Sequence, residues 1–304
     1  MKILVAAPIV LMLTAGLSRA ATGLAFLKIA PEAASAALGE NAAGGWRNAL
    51  SPVLNPALAP LDQRWHISLN QTDWIFDTSY LALGFQAPLR KWSLGADLRV
   101  LSSTGFELRP DANPEPQGDF RVDDLAVGLN ASAPLGQRLR VGAALRRIEE
   151  KIYNQASLGW TTDLGLRWEK PVAVAEEASG LLGLSLAARN LGYSSEFPSE
   201  APEPPRAFSL GGEWRGPLPL AGWPGGLQAE LRHLQDDGTH LHLGAELLPA
   251  AGLVLRGGWM SGYNDRGATL GLGFAWRGLM LDYAWLPFSN ALEDVHRFTF
   301  SFAL

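Results

Sequence analysis

The sequence predicts an all-β fold: a transmembrane antiparallel β-barrel of about fourteen strands, with a short N-terminal helical or loop segment in its lumen. Three observations support this prediction. From Arg64 to the C terminus, apolar and polar residues alternate with a period of two. The polar positions hold charges of both signs and many glycines, as a crowded lumen requires. Tryptophans stand near the ends of the alternating segments, as in the aromatic girdles of membrane barrels.

The first twenty residues have the pattern of a secretory signal peptide. Lys2 precedes an apolar run from Ile3 to Leu17, and small residues stand at Ser18 and Ala20. The run is short for an uncleaved membrane anchor. We therefore predict cleavage after Ala20 and export to the outer membrane of a bacterial cell. Of 25 basic residues, two lie in this peptide, so 23 basic and 30 acidic residues remain, a net charge of −7.

The composition excludes several classes of protein. The chain has no cysteine, which rules out disulfides and cysteine-based metal sites. It has no basic excess of the kind that nucleic-acid binding requires. The mean hydropathy of +0.04 is high for a soluble protein. No interior stretch approaches the roughly 18 apolar residues of a transmembrane helix.

Residues 21–60 differ from the rest and predict a plug-like segment in the lumen, followed by the barrel at 61–304. "PEAASAALGE" is rich in alanine and predicts a short helix near 31–39, between Pro31 and Gly39. "SPVLNPALAP" carries three prolines and predicts turns. The helix can either gate a channel or fill it, and its alanines suit close packing against a barrel wall.

The alternating region predicts fourteen strands, each with one apolar and one polar face. In the sixth, Leu158 and Trp160 lie on one face, while Thr161 and Asp163 lie on the other. The predicted strand cores are 64–70, 78–86, 92–101, 122–132, 139–148, 157–168, 181–190, 206–214, 226–234, 240–248, 252–260, 268–276, 278–286 and 295–303. A soluble sandwich and a membrane barrel share this pattern, but small residues and mixed charges on the polar face favour the barrel.

The ends of the predicted strands also favour a membrane barrel. The girdle tryptophans are Trp92, Trp168, Trp214, Trp259, Trp276 and Trp285. The second, fourth, tenth and twelfth connections are short, whereas "STGFELRPDANPEPQGD" and "LGYSSEFPSEAPEPPR" are long, as between the two sides of an outer-membrane barrel. The sixth and eighth connections, near 169–180 and 215–225, are longer than a tight turn. The two long connections are rich in proline, and such stiff segments can hold protein partners.

The last strand, "HRFTFSFAL", alternates between phenylalanines and small or polar residues. Phe298, Phe300 and Phe302 are predicted to face the membrane lipid, with Arg297 and Thr299 turned to the lumen. Pairing of this strand with the first strand would close the barrel and leave no edge.

Several segments, in order along the chain, resemble the PorV/PorQ family of outer-membrane proteins. "GLAFLKIAPEAASAALGENAAG" followed by "LNPALAPL" is similar to that family's N-terminal signature, with its turn at Asn55-Pro56-Ala57. "LAARNLGY", "PPRAFSLGGEW" and "LDYAWLPFSNALEDVHRFTFSFAL" continue the resemblance over nearly all the mature chain. The sequence departs from the family at Leu38, where methionine is usual, and at Leu304, where an aromatic end is usual.

The resemblance implies a function as well as a fold. The family is similar to the fatty-acid-transporter barrels, which have fourteen strands and an N-terminal segment in the lumen. It implies a non-enzymatic part in type IX-like secretion and cell-surface attachment, with a translocon, attachment machinery and secreted cargo as partners. The alternative is passive uptake of hydrophobic small molecules through the lumen, as in fatty-acid-transporter barrels.

No residue is predicted to be catalytic, to bind a cofactor or to bind a metal. His240, His242 and Glu246 share one strand face, and two histidines at this spacing can share a metal, but no third ligand or supporting shell is assured. No nucleophile elbow or phosphate loop is present. Six lumenal arginines either line a path for an anion or pair with acids: Arg99, Arg140, Arg146, Arg167, Arg189 and Arg256. The near-equal numbers of both signs favour pairing with Asp97, Asp163, Glu213, Glu230 and Asp282.

Overall fold

The chain forms a closed barrel of fourteen antiparallel strands. The computed structural model describes residues 23–44, 47–109, 115–175, 178–196, 201–218, 223–289 and 292–304. Each strand pairs with its neighbours in sequence, and the first pairs with the last. This confirms the predicted fold class. The sandwich alternative is wrong, because the single sheet closes on itself.

All fourteen predicted strands are present, several of them longer than predicted. They are β1 (His66–Trp74), β2 (Thr78–Leu89), β3 (Trp92–Glu107), β4 (Asp119–Leu135), β5 (Leu139–Ile152), β6 (Gln155–Ala175), β7 (Ala178–Ser194), β8 (Ala207–Pro217), β9 (Pro224–Leu234), β10 (Gly238–Ala250), β11 (Leu253–Ser261), β12 (Ala268–Trp276), β13 (Leu279–Leu286) and β14 (Val295–Ala303). The predicted plug-like segment holds the helix α1 (Ala33–Ala37) and short 3₁₀ turns at Ala25–Lys28, Ser51–Val53 and Pro56–Leu58.

The polar face of each strand is turned inward and the apolar face outward. In β5, Leu145 is 51% exposed while Arg146 is fully buried. In β6, Leu164 is exposed and Asp163 is buried. This is the reverse of a soluble protein, in which the apolar face is hidden. It agrees with the sequence prediction that each strand has one apolar and one polar face, with the polar face in the lumen.

The connections between strands fall at two ends of the barrel. The turn end holds the start of β1 and the end of β14, with connections at 90–91, 136–138, 176–177, 218–223, 251–252 and 277–278. The loop end has connections at 75–77, 108–118, 153–154, 195–206, 235–237, 262–267 and 287–294. The predicted short connections all lie at the turn end, and the two long ones lie at the loop end.

The sixth and eighth connections looked long in the sequence because the strands continue beyond the apolar pattern. β6 and β7 extend until Ala175 pairs with Ala178. β8 and β9 extend until Pro217 pairs with Pro224. The backbones thus stay paired in a region where neither strand face needs to be apolar. The alternation of apolar and polar residues therefore ends in the sequence before the paired strands end in the structure.

The last strand closes the barrel as predicted. β14 pairs with β1, with Phe302 opposite Ile67 and Phe298 opposite Gln71. Phe298, Phe300 and Phe302 point outward, and each is close to half exposed. The only helices in the described ranges are short ones of the N-terminal segment, and no helix there is long and apolar enough to cross a membrane.

Candidate functional site: the filled lumen

The N-terminal segment runs through the lumen from the loop end to the turn end. At the loop end, the backbone N–H of Leu24 donates to the Glu150 carboxylate. Lys28 forms an ion pair with Asp236, in the connection between β9 and β10. Further along, Arg47 forms an ion pair with Glu169 in the turn-end half of β6. The segment leaves the lumen at the turn end, where β1 begins.

The loop-end half of the lumen contains an apolar cluster, in contrast to the polar interior of a water-filled barrel. We call it the loop-end apolar cluster. Its members from the N-terminal segment are Leu24, Phe26, Leu27, Ile29 and Leu50, and its members from the wall are Tyr80, Ala82, Ala126 and Ile148, with Trp74 and Leu101 packed against them. Full burial stabilises a large apolar side chain by about 1.5–3 kcal/mol, so the cluster holds this part of the segment in place.

Helix α1 packs closely against the wall through small residues. Ala30, Ala33, Ala36 and Ala37 form a cluster with wall residues of β13 and β14. The wall residue that faces Ala37 is Gly271, which has no side chain. A Cβ atom at Gly271 would overlap the methyl group of Ala37. The predicted use of alanines for close packing is therefore what the structure shows.

Hydrogen bonds fix the middle of the segment to the wall. The backbone N–H of Ala33 donates to Thr299 Oγ1 at 2.8 Å, and that of Gly39 donates to Thr269 Oγ1 at 3.0 Å. Asn55 lies at the predicted turn. Its side chain accepts from the Ala57 N–H at 2.9 Å and donates to the Leu186 carbonyl at 3.2 Å. The Asn55 side chain thus stabilises the turn and also binds it to β7.

The charged side chains of the lumen form a network of buried ion pairs. Arg146 lies between Asp97, whose Oδ1 is 3.0 Å from Nε, and Asp163. Arg167 pairs with Glu213, and Arg256 Nη1 lies 2.6 Å from Asp282 Oδ1. Arg232 Nη2 lies 2.9 Å from Glu230 Oε1. Buried charges need such partners, because an isolated ion in a low-dielectric interior is costly.

Five of the six arginines singled out in the sequence have acidic partners. Besides Arg146, Arg167 and Arg256, Arg140 lies 3.0 Å from Glu169 and Arg99 lies 3.7 Å from Asp97. Pairing is therefore confirmed for these five. Arg189 differs, since no carboxylate forms an ion pair with it in the part of the chain that the structure describes.

The residues considered for a metal site face separate partners. His242 Nδ1 lies 2.6 Å from the Gly39 carbonyl, and its Nε2 lies 3.2 Å from the Tyr263 hydroxyl. The His240 ring stacks on Tyr263 with centroids 4.0 Å apart. Glu246 lies 3.4 Å from Arg256. Within the described ranges, no group of three or more potential metal-binding side chains occurs.

One carboxyl of the N-terminal segment has an unusual proton affinity. Glu32 precedes α1, is 3% exposed, and accepts a hydrogen bond from the Asn48 amide. Burial, and after it the negative charge of Asp282, raises the pKa of Glu32 from 4.5 to about 7. The segment therefore carries a carboxyl that is easily protonated near neutral pH.

Two cavities border the segment at its two ends. At the turn end, a cavity of about 310 Å³ is lined by Arg47, Arg215, Gly216, Pro224, Gly225, Glu246 and Leu248. At the loop end, a cavity of about 10 Å³ lies between the segment and β7, β9 and the connection between β11 and β12. We call the second one the loop-end cavity.

Sequence reasoning missed the residues that bring the segment and the wall together. Tyr263 and Arg266 lie in "GGWMSGYNDRG", which we considered only as a phosphate loop. Arg266 Nη1 lies 3.4 Å from Glu40 Oε1 of the segment. The Tyr263 ring lies between the His240 ring and the Arg266 guanidinium. An arginine and a tyrosine in one short connection were the available signal, but Glu40, the partner of Arg266 in the segment, lies 226 residues away in sequence.

Comparison with known proteins supports the fold class. No family model matches the chain, and no curated protein matches it. The toluene transporter TodX of Pseudomonas putida matches with a TM-score of 0.57 at 13% identity, covering 90% of this chain and 97% of that chain. The monoaromatic hydrocarbon channel CymD matches with a TM-score of 0.54 at 12% identity, with the same two coverages.

The geometry and the comparisons together define the class of protein. The chain has the fold of an outer-membrane β-barrel, with an N-terminal segment inside the lumen. At identities of 12–13%, the two hydrocarbon channels show likeness of fold alone. One is a toluene transporter and the other a monoaromatic hydrocarbon channel. The finer resemblance to PorV/PorQ proteins therefore stays a prediction.

Proposed function

We propose that this protein is a non-enzymatic channel of the bacterial outer membrane that takes up small hydrophobic molecules. The observation that carries the proposal is the loop-end apolar cluster inside the lumen. A channel for polar solutes has a polar interior. Here, a hydrophobic solute that replaced Phe26 and Leu27 would lie against the same apolar wall and gain the same burial.

The attachment of the segment suggests how the lumen opens. Hydrogen bonds and ion pairs tie the middle and the end of the segment to the wall at Ala33, Gly39, Arg47 and Asn55. The first part, residues 24–29, has the Leu24 hydrogen bond to Glu150 and the Lys28 pair with Asp236, and its other contacts are apolar ones that a hydrophobic solute can replace. We propose that this part is displaced while the rest stays anchored. The names of TodX and CymD, a toluene transporter and a monoaromatic hydrocarbon channel, support this substrate class.

Uptake of radiolabelled toluene tests the proposal. Cells that produce the protein should take up toluene faster than cells with an empty vector. Phe26→Ala should change the uptake rate, because it removes a large side chain from the loop-end apolar cluster and so enlarges the apolar space in the lumen. Phe298→Ala is the matched control, since Phe298 points outward. The proposal fails if uptake equals that of the empty vector, or if both variants change it equally.

A second function, partnership in type IX-like secretion, is favoured by a different observation. The segment fills the lumen, and most buried charges there are already paired. Such a barrel would act through its loop end. The connections at 108–118 and 195–206 lie there and are rich in proline. Parts of both connections lie outside the described residues. Affinity purification from native outer membranes tests this function. Recovery of a translocon or surface-attachment subunit would support it, and recovery of none would refute it.

Outer-membrane location and cleavage after Ala20 belong to the same proposal. The predicted signal peptide lies outside the described residues. N-terminal sequencing of protein from the outer-membrane fraction should begin at Ala21. A sequence that begins at Met1, or protein found only in the inner-membrane fraction, would contradict this part of the proposal.

A further inference from the structure

Arg189 is a buried cation without an ionic partner among the described residues. It is 5% exposed, and its Nε has no hydrogen-bond acceptor there. The other lumenal arginines discussed above mostly face one or two carboxylates. A buried guanidinium normally requires such compensation, since burial without it is costly. The charge of Arg189 therefore calls for an anion.

The local backbone fixes Arg189 in the lumen. It is the last residue of β7 that pairs with β8, opposite Ala207. The next residue, Asn190, has a positive φ of 57°, which bends the strand. Asn190 is held there because its N–H donates to Asp163 Oδ1 at 2.7 Å and its amide donates to the Pro205 carbonyl at 2.9 Å. The guanidinium is thus on a rigid part of the wall.

Arg189 lines the loop-end cavity together with a second unsatisfied donor. Arg266 also lines that cavity, and its Nε is buried without an acceptor in the described residues. The cavity measures about 10 Å³, which is close to the space that one water-sized group needs. Two arginine side chains therefore border a space of about the size of one water molecule.

The cavity is also rich in positive charge. Lys28, Arg189, Arg232 and Arg266 line it, whereas Glu40 is the one carboxylate among the lining residues that the structure describes. Three of these cations have acidic partners: Lys28 pairs with Asp236, Arg232 with Glu230, and Arg266 with Glu40. Arg189 is left over, so one negative charge would balance the group.

We propose that Arg189 and Arg266 bind one monovalent anion, a halide ion or a carboxylate group, in the loop-end cavity. A water molecule could accept from both donors but would leave the charge of Arg189 unbalanced. An anion does both. Charge-assisted hydrogen bonds from guanidinium groups are also stronger than neutral ones.

The anion would connect the N-terminal segment to the wall. Arg266 already contacts Glu40 of the segment, and Arg189 belongs to β7. A bound anion between the two arginines would add a link across the lumen at the loop end. Binding should therefore stabilise the folded barrel by an amount that increases with the logarithm of the anion concentration above the dissociation constant. This inference does not depend on the proposed uptake of hydrophobic molecules.

Bromide binding to the full-length mature protein in detergent tests the site. The thermal unfolding midpoint is measured as bromide replaces methanesulfonate, which is neither a halide nor a carboxylate, at constant ionic strength, so that general screening stays the same. The midpoint of the wild type should rise with bromide, in step with the logarithm of its concentration once the concentration exceeds the dissociation constant. Arg189→Gln should weaken the apparent affinity by about tenfold or more. Arg138→Gln, in an exposed turn, is the matched control and should behave as the wild type.

A second measurement keeps the test valid if Arg189→Gln folds poorly. Crystals of the wild type soaked in bromide should show an anomalous scattering peak between Arg189 and Arg266. The proposal is overturned if no peak appears there, if the wild-type midpoint does not respond to bromide, or if Arg189→Gln responds as the wild type does.

Competition separates the two sources of the anion. Decanoate and decanol share an alkyl chain, but only decanoate has a carboxylate. If decanoate displaces bromide and decanol does not, the site takes the head group of an amphiphile. If neither displaces bromide, the site takes a free halide. Displacement by both alcohol and acid would overturn the assignment, because the alkyl chain rather than the charge would then compete.

Discussion

At the scale of single residues, the lumen is stabilised by a few arginines that each balance two acids. Arg146 is the best example, because Asp97 and Asp163 are both nearly fully buried beside it. A buried pair or triad of this kind contributes little over an apolar replacement, but the loss of one member is costly. The network therefore makes the fold sensitive to single substitutions that leave a charge unpaired.

We predict that Arg146→Ala destabilises the barrel by about 3–5 kcal/mol, because two buried carboxylates lose their common partner. Arg147→Ala is the matched control, since Arg147 is the next residue in the chain and its side chain is 55% exposed on the outer face. Unfolding monitored by heat-modifiable gel mobility measures the effect. Equal stability of the two variants would show that the buried triad is not needed. Restoration of stability in Arg146→Ala/Asp97→Asn/Asp163→Asn would confirm that unpaired charge is the cause.

Glu32 gives the lumen a dependence on pH. Its pKa is about 7 in the folded protein and 4.5 ordinarily, so the folded state holds the proton more tightly than the unfolded state. The stability due to this proton is complete below pH 4.5 and is lost as the pH rises to about 7. The loss amounts to about 3 kcal/mol.

Glu32→Gln should therefore raise the stability at pH 8 and leave it unchanged near pH 4.5. The glutamine keeps an acceptor for the Asn48 amide but cannot ionise. Glu107→Gln, at a side chain that is half exposed, is the control and should not alter the pH profile. Thermal unfolding between pH 4 and 9 provides the measurement. A profile of Glu32→Gln that parallels the wild type would refute the raised pKa.

At the scale of elements, the N-terminal segment depends on small residues of the wall. Gly271 of β12 faces α1, and a side chain there would collide with Ala37. Gly257 of the adjacent strand β11 has no heavy atom closer than 3.7 Å to the position of a Cβ. A Cβ at Gly271 would also lie 2.6 Å from the Tyr283 carbonyl oxygen of β13, so a side chain at Gly271 strains both the contact with α1 and the sheet, and one at Gly257 strains neither.

Gly271→Val should loosen the segment, whereas Gly257→Val should not. Trypsin can report this, because Lys28 lies in the segment and is shielded by its pair with Asp236. We expect faster cleavage after Lys28 in Gly271→Val and the wild-type rate in Gly257→Val. Equal rates in both variants would mean that α1 tolerates a side chain at the wall.

The strands could be predicted from the sequence, but the site inside them could not. Alternation is a local property, so β6 was recognisable with both faces assigned correctly. The pairing of Arg146 in β5 with Asp97 in β3 reaches across β4, so the order of hairpins did not specify it. The contacts of Glu40 with Arg266 and of Phe26 with Tyr80 depend on the path of a segment without periodicity. No pattern in the sequence specifies that path.

At the scale of the whole molecule, closure of the barrel depends on the last strand. β14 pairs with β13 on one side and β1 on the other, so its backbone groups are satisfied on both edges. Its outward phenylalanines are nearly equal in exposure, with 46% at Phe298 and 44% at Phe302. Phe298 and Phe302 therefore expose a similar apolar area to lipid, and the main difference between them is their distance from the C terminus.

This near-equality allows a test of whether the terminal residues act as an assembly signal. Phe302→Ser and Phe298→Ser remove similar outward apolar area, so a role of that area alone predicts equal losses of assembled barrel. If assembly machinery reads the end of the chain, Phe302→Ser should lower the amount of heat-modifiable barrel in the outer membrane several-fold more than Phe298→Ser does. Quantitative gels of membrane fractions after a short induction measure this. Equal losses would refute a signal at Phe302, and the phenylalanine row would then serve only as the lipid-facing side of the closing strand.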